Sequence, residues 1–345
     1  MKTINHGTFV ISLDFELFWG VRDKKNKESY GENILAVRQI IPRLLEVFKH
    51  YGIKATFATV GFLFFATKKE LLQNLPEKKP SYIEKNFSPY GTYMDSIGEN
   101  ETNDPFHFAK SLIEMIQNVG LHEIASHTFS HYYCLEEGQT IVEFEDDLSA
   151  AKNIAHKMNI QLQSLVFPRN QTNGVYLEMC QKQGFFCYRG NENHWIYQAH
   201  SNKTRRYKTF LKRILRLLDC YVNLSGHHCY TYEHIIRETP HNIPASRFLR
   251  PFNFRLRALE SLKFRRIKRS MTYAAKHGLV YHLWWHPHNF AKYQDKNFEG
   301  LDKILQHFQF LNKRYGFDSL SMSALLKKIG HGSNLLTDEF NHMKY

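Results

Sequence analysis

Two carboxylates one residue apart, Asp14 and Glu16, sit in the run SLDFELFWG (12–20), where most of the neighbours are apolar. Side chains alternate along a strand, so both acids face one side while Leu13, Phe15 and Leu17 face the other. Burying such a pair is costly without a positive partner. His127 and His131, in SHTFSH (126–131), are four residues apart. That spacing lets one turn direct two imidazoles at one metal ion. With 20 histidines in the chain the spacing alone is weak; beside an acid pair it gains weight. Two histidines and a carboxylate around a divalent cation leave positions open for water and substrate, the composition of a catalytic metal site. The cation would also supply the positive charge that the acid pair calls for.

These residues occupy the same place relative to the elements that must position them. Strands are predicted over 9–15, 54–60, 121–127, 164–168, 185–190 and 279–286. Helical periodicity covers 33–50, 108–120, 140–156, 175–184, 299–315 and 321–330, with a Thr140–Glu143 capping box opening the third. Residues 68–105 show no period and read as a long excursion. The strands end on polar clusters: Asp14 and Glu16; His127 and His131; Arg169 in PRNQ; Arg189 and Glu192 in YRGNEN; His286 and His288 in HPHN. Strands alternating with helices imply a parallel sheet that can close into a barrel, and the carboxyl ends of barrel strands carry the chemistry. Five clusters at that one face mark it as the site.

Taken in order, the clusters resemble the polysaccharide deacetylases, the NodB-homology or carbohydrate esterase family 4 group, over about residues 8–290. HTFSH matches the family's H-[S/T]-x-x-H metal motif, and LWWH (283–286) matches its late L-x-x-H motif. Asp14-Phe15-Glu16 stands where the family usually has adjacent aspartates. The resemblance implies an α/β fold, a distorted (β/α) barrel, a divalent metal (zinc as a rule) and hydrolysis of an N-acyl group on a sugar. On this likeness His127, His131 and Glu16 hold the metal, Asp14 is the general base and His286 protonates the departing amine. The widened acid motif leaves Asp14 or Glu16 as the ligand, or both. Arg169 would orient Asp14 or make a plain salt bridge. It follows its proline, where the family's arginine precedes it, and the Asp-x-x-Asp-Trp motif is replaced by NENHW (191–195). Trp19, Trp285, Glu192 and His288 are the substrate-binding candidates.

A chain of 345 residues, 43% hydrophobic, can bury one large α/β core. The expected organisation is a single catalytic domain over 1–330, elaborated over about 191–275 by a basic, partly helical insertion, with a tail over 331–345. The five cysteines include no CxxC pair, and the first residues show no secretory pattern, so a cytoplasmic protein is expected. His227, His228 and Cys229 could form a second metal cluster, though a surface loop fits their position better. The net charge of +13 is local: 203–216 carries seven Lys/Arg and no acid, 247–269 nine with only Glu260, and everything else sums to −2. Both stretches alternate with apolar residues. They suggest an anionic nucleotide- or lipid-linked sugar and peripheral contact with the inner membrane surface, not nucleic acid. The function expected is N-deacetylation of an amino sugar during surface-polysaccharide biosynthesis. The alternatives are a deformylase of a lipid-linked formamido sugar and an inactive basic module binding membrane or nucleic acid on the same fold.

Overall fold

The computed structural model describes residues 6–199 and 206–330; the expected tail over 331–345 lies outside the described residues. Strand β1 (Thr8–Phe15) is buried along its whole length. It pairs in parallel with β2 (Ala55–Thr59) on one side and β8 (Val280–Trp285) on the other. From β2 the sheet continues through β3 (Glu123–Ser126), β4 (Ser164–Val166), β5 (Cys187–Arg189) and β6 (His241–Asn242), and beyond β8 lies β7 (Arg247–Phe248). A short β9 (Asp318–Ser319) pairs with the start of β1. The two edges of this path, β6 and β7, are separated in sequence by residues 243–246 alone. That link donates from Ala245 N to Gly190 O (2.9 Å) and from Ser246 N to His282 O (2.8 Å), stitching the edges together. The sheet is therefore curled on itself, a distorted (β/α) barrel.

Period-two alternation gives each strand an outer and an inner face. On β1, Phe9, Ile11, Leu13 and Phe15 pack outward into the large core against the helices. Val10 points inward with Ala58, Val166, Cys187, Ile243 and Val280. Ser12 and Asp14 continue that inner face, which is how one strand can be greasy and still carry a carboxylate.

The helices surround the sheet. The periodic run over 33–50 is two helices, α1 (Lys27–Leu35) and α2 (Val37–Tyr51), breaking at Ala36. Asn26 caps α1, and α2 stops at Gly52, whose φ of +68° suits glycine. The excursion holds the single turns α3 (Lys68–Leu72) and α4 (Thr92–Asp95). Then follow α5 (Lys110–Val119), α6 (Ile141–Lys157) with its Thr140–Glu143 capping box, and α7 (Gly174–Lys182). The basic region supplies α8 (Arg206–Asp219), α9 (Tyr232–Ile235), α10 (Glu260–His277) and also the edge strands β6 and β7. Helices α11 (Gln294–Tyr315) and α12 (322–330) complete the fold.

The second basic stretch is not a uniformly solvated face. Its Arg247, Lys263 and Arg266 are buried. Arg247 and Arg266 face the carboxylate of Asp219 at 3.0 and 3.5 Å, and Lys263 pairs with Glu260 at 2.8 Å. On α8 the outer side is apolar as well as basic, with Phe210, Leu211, Ile214 and Leu218 exposed. Among the described residues no helix is long and apolar enough to cross a membrane.

Candidate active site

Glu16 follows the last residue of β1, and the chain turns there, with Leu17 at φ +45°. His127 follows β3 directly, its backbone N–H bonded to Thr59 O at 2.9 Å. The loop carrying both histidines is held from below by Asp147 on α6. Asp147 accepts from Phe129 N (2.7 Å), Ser130 N (3.1 Å) and the Ser130 hydroxyl. Burial pushes this carboxyl up to about 6 against those three donors. Thr128 and His131 both take left-handed backbone conformations (φ +61° each). Two left-handed residues in a five-residue motif fold it back, so His127 and His131 stand side by side, ring centroids 5.0 Å apart.

Each imidazole is fixed through one nitrogen and offers the other. His127 Nδ1 bonds to Val166 O at 2.8 Å and His131 Nδ1 to the Tyr133 hydroxyl at 3.1 Å. Their Nε2 atoms face one carboxylate oxygen, Glu16 Oε2, at 3.3 and 3.1 Å. Burial pushes His131 down to about 4, so its imidazole is neutral at neutral pH. Burial would raise Glu16, but His286, His127 and His131 outweigh it and hold the carboxyl well below its ordinary range. Among the described residues these three are the one group with ligand atoms all within 4.8 Å of each other. Two imidazoles with outer nitrogens tied to protein oxygens, converging on an ionised carboxylate, are a donor set that fits a divalent metal.

Asp14 is gripped differently. Arg189, the last residue of β5, reaches across the barrel interior and donates Nη1 to Oδ1 at 2.7 Å and Nη2 to Oδ2 at 2.8 Å. Its guanidinium also bonds Ser12 Oγ (3.0 Å) and Asn170 Oδ1 (2.9 Å) and lies 4.2 Å over the Trp284 ring. Ser12 Oγ is bonded in turn to His282 Nε2 at 2.8 Å, and burial pushes His282 down to about 3. Burial alone would raise Asp14; Arg189 outweighs it, with help from His286 and His127, and the carboxyl sits below its usual value. Asp14 is thus an ionised acid with one face occupied. On its other side stands His286, whose Nε2 is 3.6 Å from Asp14 Oδ2 and 3.7 Å from Glu16 Oε1.

His286 lies at the edge of a cavity of about 540 Å³ whose wall includes Trp284, Phe248, Glu192 and Arg169. The site therefore has a closed end, with the acids and histidines, and an open end beside His286. Glu192 is buried, and burial raises its carboxyl. His288 is stacked on His286 with centroids 5.0 Å apart, and burial pushes it down to about 3.

Two substrate-binding candidates lie in the core, and Arg169 takes the second of its two expected roles, a salt bridge, not the orientation of Asp14. Arg169 does not reach Asp14. Its left-handed backbone (φ +54°), followed by Asn170 at +52°, turns the side chain toward Asp23 and Glu136 and over the Tyr133 ring at 4.0 Å. Arg189 takes the partnership instead. Trp19 is fully buried, donating its indole N–H to His107 O at 2.8 Å and packing on Phe62. Trp285 is also fully buried, on the outer face of β8 against Phe48 and Phe290. Neither can touch a substrate. Its neighbour Trp284, on the opposite face of the strand, lines the cavity. A sequence signal for Arg189 existed: it lies two residues after the inward-facing Cys187 and so shares its face. The 227–229 cluster forms no metal set: His228 bonds Ser225, His227 bonds Ser270, and Cys229 bonds backbone oxygens.

The family model for polysaccharide deacetylase matches residues 30–186. Among curated proteins none matches the chain. A crystal structure of a putative polysaccharide deacetylase from Mycobacterium smegmatis superimposes with a TM-score of 0.59 at 10% identity, covering 96% of this chain and 93% of that one. A probable polysaccharide deacetylase from Pseudomonas aeruginosa PAO1 gives 0.52 at 10% identity over 93% and 89%. Puue allantoinase gives 0.52 at 10% identity over 93% and 88%. At such identities these likenesses speak for the fold alone.

Proposed function

We propose that this chain, which belongs to the polysaccharide deacetylase family through residues 30–186, is a carbohydrate deacetylase that uses a divalent metal to remove an N-acetyl group from an amino sugar. The observation that carries the reading is the division of labour between the two acids. Glu16 faces both imidazoles, whereas Asp14 faces Arg189 and His286. Glu16, His127 and His131 would hold the metal, zinc by the two imidazole nitrogens and one carboxylate. When bound, the metal would acidify a water and polarise the acyl carbonyl.

The remaining steps fall to the chain's own side chains. Asp14, kept ionised by Arg189, accepts a proton from the attacking water. The bidentate grip fixes the carboxylate, so it holds one orientation while it does so. His286, partly open to the cavity, delivers a proton through Nε2 to the departing amine. Trp284 and Phe248 offer the apolar surface against which a pyranose ring can lie. The same residues would cleave a formamide. The five free cysteines, four of them buried, suit a reducing cytoplasm, where a sugar intermediate in surface-glycan assembly would be the substrate.

The test is acyl release from a neutral N-acetylhexosamine glycoside and its N-formyl counterpart. Metal-loaded protein should liberate acetate or formate with a new primary amine, lose activity to a chelator and regain it with zinc. Protein that carries metal yet releases neither acid would refute the reading.

A further inference from the structure

The open end of the cavity carries more positive charge than an uncharged sugar requires. Arg213, Arg216, Arg247 and Arg250 all line it, and among the described residues Glu192 is the one carboxylate on its wall. Three of the arginines have no ion pair among the described residues: Arg213, Arg216, whose Nε meets only the Lys212 carbonyl at 3.3 Å, and Arg250, whose Nε is buried without a partner. The fourth, Arg247, is 2% exposed and shares the single carboxylate of Asp219 with Arg266. Among the described residues its buried Nε and Nη2 make no hydrogen bond of ordinary length, and the Tyr281 hydroxyl is a polar neighbour of its guanidinium. Buried guanidinium N–H groups without acceptors are costly, so an acceptor-rich anion is the occupant this wall is built for. Planar guanidinium forks match phosphate oxygens two at a time.

We propose that the arginine wall is a phosphate subsite and that the substrate is a glycosyl phosphate or diphosphate, its acylamino group at His286 and its phosphate among Arg213, Arg216, Arg247 and Arg250. The assignment of the His286 end rests on the deacetylase reading; the subsite itself does not. Trp284 and Phe248 lie on the same wall as the arginines, and about 540 Å³ suits one sugar with its phosphates. Such a substrate would come from a nucleotide sugar or from a polyprenyl carrier, and the phosphate chemistry is common to both.

Calorimetric titration of the metal-loaded protein with inorganic pyrophosphate, UDP and farnesyl diphosphate tests this. All three should bind, with an affinity that falls steeply with salt. Arg213→Gln with Arg250→Gln should weaken each at least tenfold, since charge-assisted bonds to a phosphate are lost. Both residues are at least partly open to solvent, so the fold should survive. His131→Ala, lacking a metal ligand, should still bind pyrophosphate; loss of binding there would mean that the metal alone holds the anion and would overturn the proposal. Equal binding by the double variant and the wild type would overturn it as well. Tighter binding of farnesyl diphosphate than of UDP assigns the lipid carrier, and the reverse assigns the nucleotide. Equal binding of all three supports the phosphate subsite by itself. Failure to release an acyl group from the neutral glycoside would sink the deacetylase reading and leave these titrations interpretable.

Discussion

Arg189→Met would leave Asp14 buried without its partner. The guanidinium now makes two parallel bonds to that carboxylate and one each to Ser12 and Asn170, in a barrel interior where Arg189 is fully buried and Asp14 nearly so. Removing one member of a buried pair costs roughly 3–5 kcal/mol. At an unfolding entropy of ~2 cal/mol/K per residue, a chain of 345 residues should then melt on the order of 4–7 °C lower. The pH dependence should change sign. In the wild type the folded Asp14 is depressed, so it contributes stability above its unfolded pKa of about 3.9 and loses it as pH falls through the lower folded value. In the variant burial dominates and raises the folded carboxyl above the unfolded one. Stability at neutral pH is then penalised, and it recovers as pH falls through the raised value. The acid limb of kcat/KM should move to higher pH in step, because the base must be ionised. Arg189→Lys keeps the charge but not the fork and should fall between the two. Melting curves from pH 3 to 8 and a kcat/KM profile read both effects. An acid limb and a melting profile that match the wild type would refute the idea that Arg189 holds Asp14.

Asp14→Asn should retain metal by elemental analysis and lose about 10²–10⁴ in kcat, while Glu16→Gln should lose metal; the opposite pattern would exchange their roles. Tyr133→Phe removes the hydroxyl that fixes His131 Nδ1, and metal affinity should fall about 10–100-fold in a competition titration; unchanged affinity would make that bond incidental. For α8, exposed Leu211 and Leu218 amid a basic sequence fit an anionic lipid surface. Wild-type protein should sediment with phosphatidylglycerol vesicles at low salt, and Leu211→Asp with Leu218→Asp should not; indifference of the wild type would leave α8 as a solvated helix. Arg205, which would join that face by sequence, lies outside the described residues, as does the side chain of Arg206.

Strand positions and the convergence of Glu16, His127 and His131 were readable because both rest on short-range rules. Alternation in 9–15 and the four-residue spacing of His127 and His131 need no knowledge of the rest of the chain. Glu16 could be paired with them because strand ends share a face. What failed was long-range partnership. Arg169 and Arg189 both end strands in the sequence, and only the left-handed turn at Arg169 sends it away from Asp14. Nothing in PRNQ announces that turn. Trp284 and Trp285 were confused by one residue, which in a strand is the difference between cavity and core. The break at Ala36 was hidden because α1 and α2 continue one apolar period. The burial of Arg247, Lys263 and Arg266 was invisible too, since Asp219, the acid shared by the two arginines, is 28 and 47 residues away from them.

The position of β1 in the sheet has a consequence for how the protein is made. β1 lies between β2 and β8, and Val280 follows Phe15 by 265 residues. At ~5–20 residues per second, the ribosome delivers β8 roughly 15–50 s after β1 has emerged. During that interval β1 can pair with β2 alone, and its other edge presents unpaired backbone groups to any neighbouring strand. Nascent chains should therefore need shielding by a chaperone, and slower synthesis should worsen aggregation, not relieve it. The same order dates the chemistry. A chain stalled before residue 280 already holds Asp14, Glu16, His127 and His131 while it still lacks His286.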